Sequence, residues 1–373
     1  ESGDNTHTVL TVNQPQQTFV FEGVGERPVP SLLRGFSAPV RLYYEYSKAD
    51  LCALMRRDDD GFVRWDCAQA LATRVIHEVE TQLLADAEPA VDTLLVNACS
   101  DLLQDESLDP ALVAEMLRLP SEDYLAELAS QGDGANVDTI HRARDIVRAA
   151  LGSALEPTLL ARYQVLENRE PYAPDGAQIA ARSLRNICLS YLVAADPKNM
   201  SLAVTQYQAA NNMTDRLAAL REIAFYGDDS LRDSTLQGFY EDWRDEVLVV
   251  NQWLQLQAAI PDESALSRVQ ALLDHADFDV RNPNKVRALI GGFANQNPVN
   301  FHRKDGSGYR FLGDMIIALN KQNPQIAARL VTPLTKWRSY AGRGQLMRAE
   351  LQRLAAEASL SPDVFEVVTK SLN

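Results

Sequence analysis

His77-Glu78-Val79-Glu80-Thr81 is the segment of this chain that comes nearest to a metal-binding pattern. Two histidines four apart lie on one face of a helix and can share a zinc ion, with the Glu after the first as general base. Here Thr81 stands where the second ligand belongs, and Val75, Ile76 and Val79 make the segment the middle of an ordinary amphipathic helix. The other histidines, His7, His141, His275 and His302, are far apart in sequence. No G-x-x-x-x-G-K-S/T loop, G-x-G-x-x-G turn or G-x-S-x-G elbow occurs. Asp305-Gly306-Ser307-Gly308-Tyr309 is glycine-rich but offers no Lys to a phosphate, and reads as a turn into the helix carrying Phe311, Leu312, Met315 and Ile316. Asp58-Asp59-Asp60 and Asp228-Asp229 lie in loop contexts, and Asp242 and Asp245 flank a helix end; all read as caps or solvated groups. The chain is therefore assigned no catalytic residue, no metal ligand and no cofactor of its own.

The arginines are more informative. Residues 281–353 carry 13 Lys and Arg against Asp305, Asp314 and Glu350, a net of +10 in a chain whose total is −15. Such segregation has two readings: a basic face presented to something anionic, or a solvated counterweight to an acidic body. Asn282-Pro283, Asn297-Pro298 and Asn323-Pro324 mark sharp helix starts, since Asn caps well and Pro fits the first helical position. Arg287 follows Pro283 by four residues and borders the stripe Val286, Leu289, Ile290 and Phe293. Arg329 follows Pro324 by five and lies beside Ile326 and Leu330. A guanidinium at the edge of an apolar stripe can hold a carboxylate with two parallel hydrogen bonds. It can equally pack its stem against a neighbouring helix.

The elements that must position these residues are mainly helical. From about residue 48 onward apolar residues recur at three- and four-residue steps, as in Trp65, Ala68, Leu71, Ala72, Val75, Ile76 and Val79. Further helices are expected between 89 and 371, among them 136–155, 175–195, 213–226, 246–259, 283–296, 306–322 and 324–340. Short connections and helix pairs recurring every 30–40 residues predict an armadillo- or HEAT-like superhelical array of antiparallel pairs over 47–373. Residues 1–46 differ. HTVLTV (7–12), QTFVFEGV (17–24) and SAPVRLYYEY (37–46) read as strands joined by turns, the remnant of a truncated β-sandwich. The absence of an initiator Met fits a fragment or a processed form. Hydrophobic content of 46% is that of a folded chain, and no apolar run is long enough to span a bilayer. The acidic balance argues against nucleic acid as a partner. Cys52, Cys67, Cys99 and Cys188 are widely spaced, which points to a reducing, cytoplasmic setting without disulfides.

NPNKVRALIGGFANQNPVNFHRKDGSGYRFLGDMI (282–316), AANNMTDRLAAL (209–220), RWDCAQALA (64–72) and QTFVFEGVGERPVPSLLRGFSAPVRL (17–42) together resemble the C-terminal part of the bacterial aminopeptidase N family of zinc metallopeptidases. The resemblance implies that residues 1–46 end a small β-sandwich and that 47–373 form the helical domain that caps the active site and encloses a chamber. It implies zinc in a catalytic domain that this chain does not contain. The partners it implies are the catalytic and N-terminal domains of the same monomeric chain, and a peptide. Arg287 in NPNKVR and Arg329 in NPQIAAR match the family's arginines that face the peptide's downstream end, while Lys285 stands where an Arg is expected. The alternative is a free-standing helical scaffold whose basic concave face binds an acidic protein.

Overall fold

The computed structural model describes residues 7–40, 42–130, 132, 134–168 and 170–373. The strands expected at the N-terminus do not pair among the described residues. Among the described residues, 7–47 form no sheet; they run as extended chain with one 3-10 turn at Arg34–Phe36. A strand is stable only where neighbours accept its backbone hydrogen bonds and cover its apolar face. Neither happens here, so Val9, Val12, Val20, Phe21, Val40 and Tyr43 stand exposed. The segment is held near its end instead. Arg34 pairs with Asp58 at 3.0 Å and with Asp59, Gly35 N–H donates to Asp60 Oδ2 at 2.6 Å, and Phe36 meets Phe62 edge to face.

Helices follow from residue 48. Helix α1 (Lys48–Arg57) begins with a capping box between Ser47 and Asp50. Asp60 caps α2 (Gly61–Leu84) by accepting from Phe62 and Val63 N–H, so the acidic run is structural. The stripe Ala68, Leu71, Ala72, Val75, Ile76 and Val79 is buried as the periodicity expects, with Trp65 half-buried at its edge. The helices that matter for the site are α3 (Val137–Ala154), α4 (Gly176–Ala195), α5 (Met213–Tyr226) and α6 (Val247–Ala259). Helix α7 starts at Pro283–Val286, passes through a π turn at Arg287–Gly291 and continues over Gly292–Gln296. It is followed by α8 (Pro298–Phe301), α9 (Ser307–Asn320) and α10 (Pro324–Leu330). The long helix expected at 324–340 stops early. A second short helix takes over at Thr332–Thr335, with Pro333 at its start.

Helices α2 to α8 pack in series: α2 on α3, α3 on α4, and so on to α7 on α8. Helix α8 then packs back on α3, which closes α3 to α8 into a ring. Shorter helices such as α1, Glu156–Val165, Met200–Ala209 and Ala265–Leu273 pack against this series, giving the helical repeat array that the sequence predicts. Close packing within the ring depends on Gly152 of α3, where an added Cβ would lie 2.3 Å from the Tyr191 carbonyl oxygen of α4.

Closure is made by polar contacts that join residues far apart in sequence. Ala135 N–H donates to Ser339 O at 2.8 Å and Ala341 N–H donates to Ala135 O at 2.9 Å. Gly134 makes room for this pairing at φ +89°, with the Ala341 nitrogen 3.2 Å from where a Cβ would sit. Arg343 donates through Nε to His302 O at 2.6 Å and through a terminal nitrogen to Asp138 at 2.9 Å. Lys304 approaches the same carboxylate at 3.6 Å. His302 is buried against the ring of Tyr340 and shares a 2.8 Å hydrogen bond with the Tyr309 hydroxyl.

The three Asn-Pro pairs do not act alike. Asn282 and Asn323 cap their helices, accepting from Asn284 and Ile326 N–H. Asn297 makes no cap bond. It is fully buried and its side-chain amide donates to Ala258 O at 2.9 Å and Ile260 O at 2.8 Å. Those carbonyls lie at and just past the end of α6, where a helix leaves acceptors without partners. Its amide oxygen accepts from Asn300 at 2.9 Å, completing the contact. Asn297→Ala therefore orphans two buried carbonyls, and the expected loss is about 2–4 kcal/mol, read from the urea midpoint at unchanged slope.

His302 makes stability pH-dependent. Burial first, and then the charges of Arg343 and Lys336, push its pKa down to about 3, from 6.5 for an unperturbed imidazole. Between those values the unfolded chain binds a proton that the native state refuses. The contribution is fully present above pH 6.5 and is lost as pH falls toward 3. His302→Gln should unfold more easily at pH 7 yet lose stability less steeply from pH 6.5 to 4, as measured by urea unfolding across that series.

Candidate functional site

The apolar stripe of α7 is Val286, Leu289, Ile290 and Phe293, all buried against its neighbours. The π turn at Arg287–Gly291 inserts an extra residue into this helix, a feature found disproportionately at functional positions. Gly291 and Gly292 follow on the same turn, and a Cβ at Gly291 would meet nothing closer than 3.9 Å. Across from it, α10 buries Ile326 and Leu330 and leaves Arg329 exposed. Between the two helices lies an open groove of about 220 Å³, lined by Arg287, Gly291, Asn295, Gln296, Ile326 and Arg329, with Gly292 and Leu330 behind them. Two arginines 42 residues apart in sequence thus border one groove.

Their surroundings differ. Arg287 is oriented by its own helix: Nε donates to Pro283 O at 3.2 Å and a terminal nitrogen to Asn284 Oδ1 at 2.9 Å. Neither partner carries charge, so the guanidinium keeps its full charge for a ligand. Arg329 makes no hydrogen bond or ion pair among the described residues. Lys285 turns away, its ammonium donating to Asp277 O. Arg310 is likewise exposed without an ion pair among the described residues, whereas Arg281, Arg303 and Arg353 pair with Asp279, Asp305 and Glu350. The groove is thus a local concentration of positive charge with an apolar floor. Such a surface suits an extended peptide ending in a carboxylate.

Sequence reasoning singled out Arg287 and Arg329 but missed Asn284, Asn295, Gln296 and the π turn. The available signal was Gly291-Gly292 inside a helical stripe, where glycine costs stability and marks close approach or open space.

The groups that could have made other chemistry are spoken for. Thr81 hydroxyl donates to His77 O at 2.9 Å, one turn back, and His77 is 3.6 Å from Glu80. His275 packs against Tyr240 and Trp253. Among the described residues no three His, Cys, Asp or Glu side chains gather as metal ligands. The donors needed for a resident zinc ion are not assembled here. All four cysteines are buried and free, and burial raises Cys67, Cys99 and Cys188 to about 12, which keeps them protonated thiols. Among the described residues no helix is long and apolar enough to cross a membrane.

The domain of unknown function DUF3458_C, described as ARM repeats, matches residues 48–373. The chain belongs to this family. Residues 1–45 match a second domain of unknown function, DUF3458, described as an Ig-like fold. Over its whole length this DUF3458_C chain is 40% identical to aminopeptidase N of Escherichia coli (strain K12) and 38% identical to aminopeptidase N of Haemophilus influenzae. It covers 42% of each of those proteins, so it spans about two fifths of the relatives it matches. A crystal structure of Legionella pneumophila aminopeptidase A in complex with aspartic acid superposes with a TM-score of 0.84 at 32% identity, over 94% of this chain and 41% of that one. The resemblance to aminopeptidase N thus extends from the quoted motifs to the whole chain and to its fold.

Proposed function

We propose that this chain is the non-catalytic helical part of a zinc aminopeptidase, which caps the active site, encloses the substrate chamber and holds the downstream end of the peptide. The observation that carries the reading is the convergence of Arg287 and Arg329 on one groove. A peptide carboxylate there would accept hydrogen bonds from two guanidiniums. One is aimed by Asn284 and the other is free to turn toward the ligand. The ring of helices supports the idea of an enclosed chamber, because residues facing its axis are screened from bulk water on most sides. The full-length relatives named aminopeptidase N support placing zinc, the general base and the scissile bond on a catalytic domain of a longer, monomeric polypeptide. That domain and an N-terminal domain are then the partners of this chain. Residues 1–46 would complete a β-sandwich there, a role supported by their Ig-like sequence match and by the apolar side chains they leave exposed. Four reduced, buried cysteines fit a cytoplasmic setting.

Two outcomes are expected. In the longer enzyme, Arg287→Ala or Arg329→Ala should raise KM for di- and tripeptides about tenfold or more, because one charge-assisted contact to a carboxylate is worth roughly 1.5–3 kcal/mol. Aminoacyl arylamides, which lack that carboxylate, should change little; equal losses on both substrates would assign the arginines to domain packing. The isolated chain, supplied with zinc, should release no arylamine and retain no stoichiometric metal after dialysis. Zinc-dependent turnover that co-purifies with it would refute the reading.

A further inference from the structure

Helix α3 grips the segment that precedes it through two side chains, His141 and Arg144, which lie three apart and so share a face. Arg144 Nε donates to Pro120 O at 2.8 Å. His141 Nδ1 lies 2.9 Å from Oε1 of Glu122, the first residue of a short helix, Glu122–Ala129. That helix is capped by Ser121, which accepts from Tyr124 N–H. Its buried residues are Leu125 and Ala126, while Tyr124 and Leu128 stand exposed. A helix this short is marginal by itself, and two apolar anchors are a weak hold, so its docking on α3 depends on the polar contacts.

The contact at His141 is two-sided. Its Nε2 lies 3.3 Å from Asp145, one turn further along α3, so each ring nitrogen faces a carboxylate. Helices α2, α4 and α8 also pack on α3 and bring no carboxylate into ion-pair contact with His141 among the described residues. Only the imidazolium carries two N–H groups. A neutral ring keeps one, and whichever nitrogen loses its proton turns a lone pair toward an acid. Glu122 is badly placed to lose its partner: Oε2 is shut off from water and accepts no hydrogen bond among the described residues. Leaving such a carboxylate unanswered is costly, so deprotonation of His141 weakens the docking of the short helix. Burial alone would lower the pKa of His141, but the hydrogen bond and charge of Glu122, and then Asp145, hold it above the ordinary 6.5 against the opposing charge of Arg144. The contribution to stability is full below pH 6.5 and is lost as pH rises through the native value, the reverse of His302.

We propose that His141 is a proton-operated clamp: charged, it holds the helix Glu122–Ala129 on α3 and steadies the strap that closes the ring; neutral, it lets both loosen. The strap is close by in the chain. Ala135, which pairs with Ser339 and Ala341, follows Ala129 by six residues. On its other side the strap is fixed by Asn136, the cap of α3, so the approach through Glu122–Ala129 is the side that can give. Arg343 keeps its charge throughout, so the ring stays joined and what changes is the firmness of its closure. The clamp is independent of what the Arg287–Arg329 groove binds.

Amide hydrogen exchange of the chain, corrected for the intrinsic rate at each pH, reads the clamp directly. Between pH 6.5 and about pH 9, protection across 122–129 and at the Ala135 and Ala341 amides should fall about tenfold, the equivalent of one charge-assisted contact, while the core of α2 is unchanged. In His141→Gln, neutral throughout, protection should be low at both pH values. In His141→Lys, charged throughout, it should stay high at the upper one. Circular dichroism checks that each variant is folded. Asp123→Asn removes a neighbouring acid whose pKa burial raises and Lys336 lowers, and it should leave the pH dependence in place. Equal protection at the two pH values in the unaltered chain, or the same fall in either His141 variant, would overturn the clamp. A fall confined to 122–129, with Ala135 and Ala341 unchanged, would overturn its link to the closure.

Discussion

Arg343 joins the start of α3 to the turn after α8 and so closes the ring. Its side chain, 9% exposed, bonds His302 O on one side and Asp138 on the other, and Arg343 and Asp138 are 205 apart in sequence. A guanidinium so far out of water is tolerable only when its donors meet fixed acceptors. The bond therefore specifies one arrangement of α3 against α8 more than it adds net stability. The backbone pairing at Ala135 with Ser339 and Ala341, and the stacked pair His302–Tyr340, depend on the same alignment. An open solenoid passes information only between neighbouring repeats. This one also couples α3 directly to the turn after α8.

Helices that are not neighbours in the series also meet. Arg148 of α3 reaches Glu222 and Tyr226 of α5 past α4. Gly152 permits the close α3–α4 approach that brings them within reach. At another part of the ring the Asn297 amide ties the end of α6 to the start of α8, which fixes α7 between them and with it the groove wall. The position of α7 that carries Arg287 is thus tied to a buried amide ten residues away, while Pro283 O and Asn284 orient the guanidinium.

The helical half of the molecule was legible because one-residue errors in a helix boundary do not change which face is apolar. The stripe of α2 and the stripe around Arg287 both followed from spacing alone. The placement of Arg287 and Arg329 beside those stripes was also local information, and their convergence on one groove follows from how α7 and α10 pack. The strands expected in 7–46 do not pair among the described residues for a physical reason: β propensity reports side chains that fit a sheet, but a sheet is made by its partners. Asn297 was misread because Asn-Pro is equally compatible with a cap and with a buried clamp, and only the position of the α6 carbonyls distinguishes them. The closure was illegible altogether, since nothing near Asp138 or Arg343 in the sequence points to the other.

The charge reversal in 281–353 gains a second meaning from this. Part of its positive charge is consumed in holding the ring: Arg343 and Lys304 both address Asp138, a residue of the acidic first half. Arg287, Arg310 and Arg329 are among the cations of the segment that have no carboxylate of their own among the described residues. Of the two readings that the sequence left open, the counterweight is realised by Arg343 and Lys304, while the binding face is what we propose for Arg287 and Arg329.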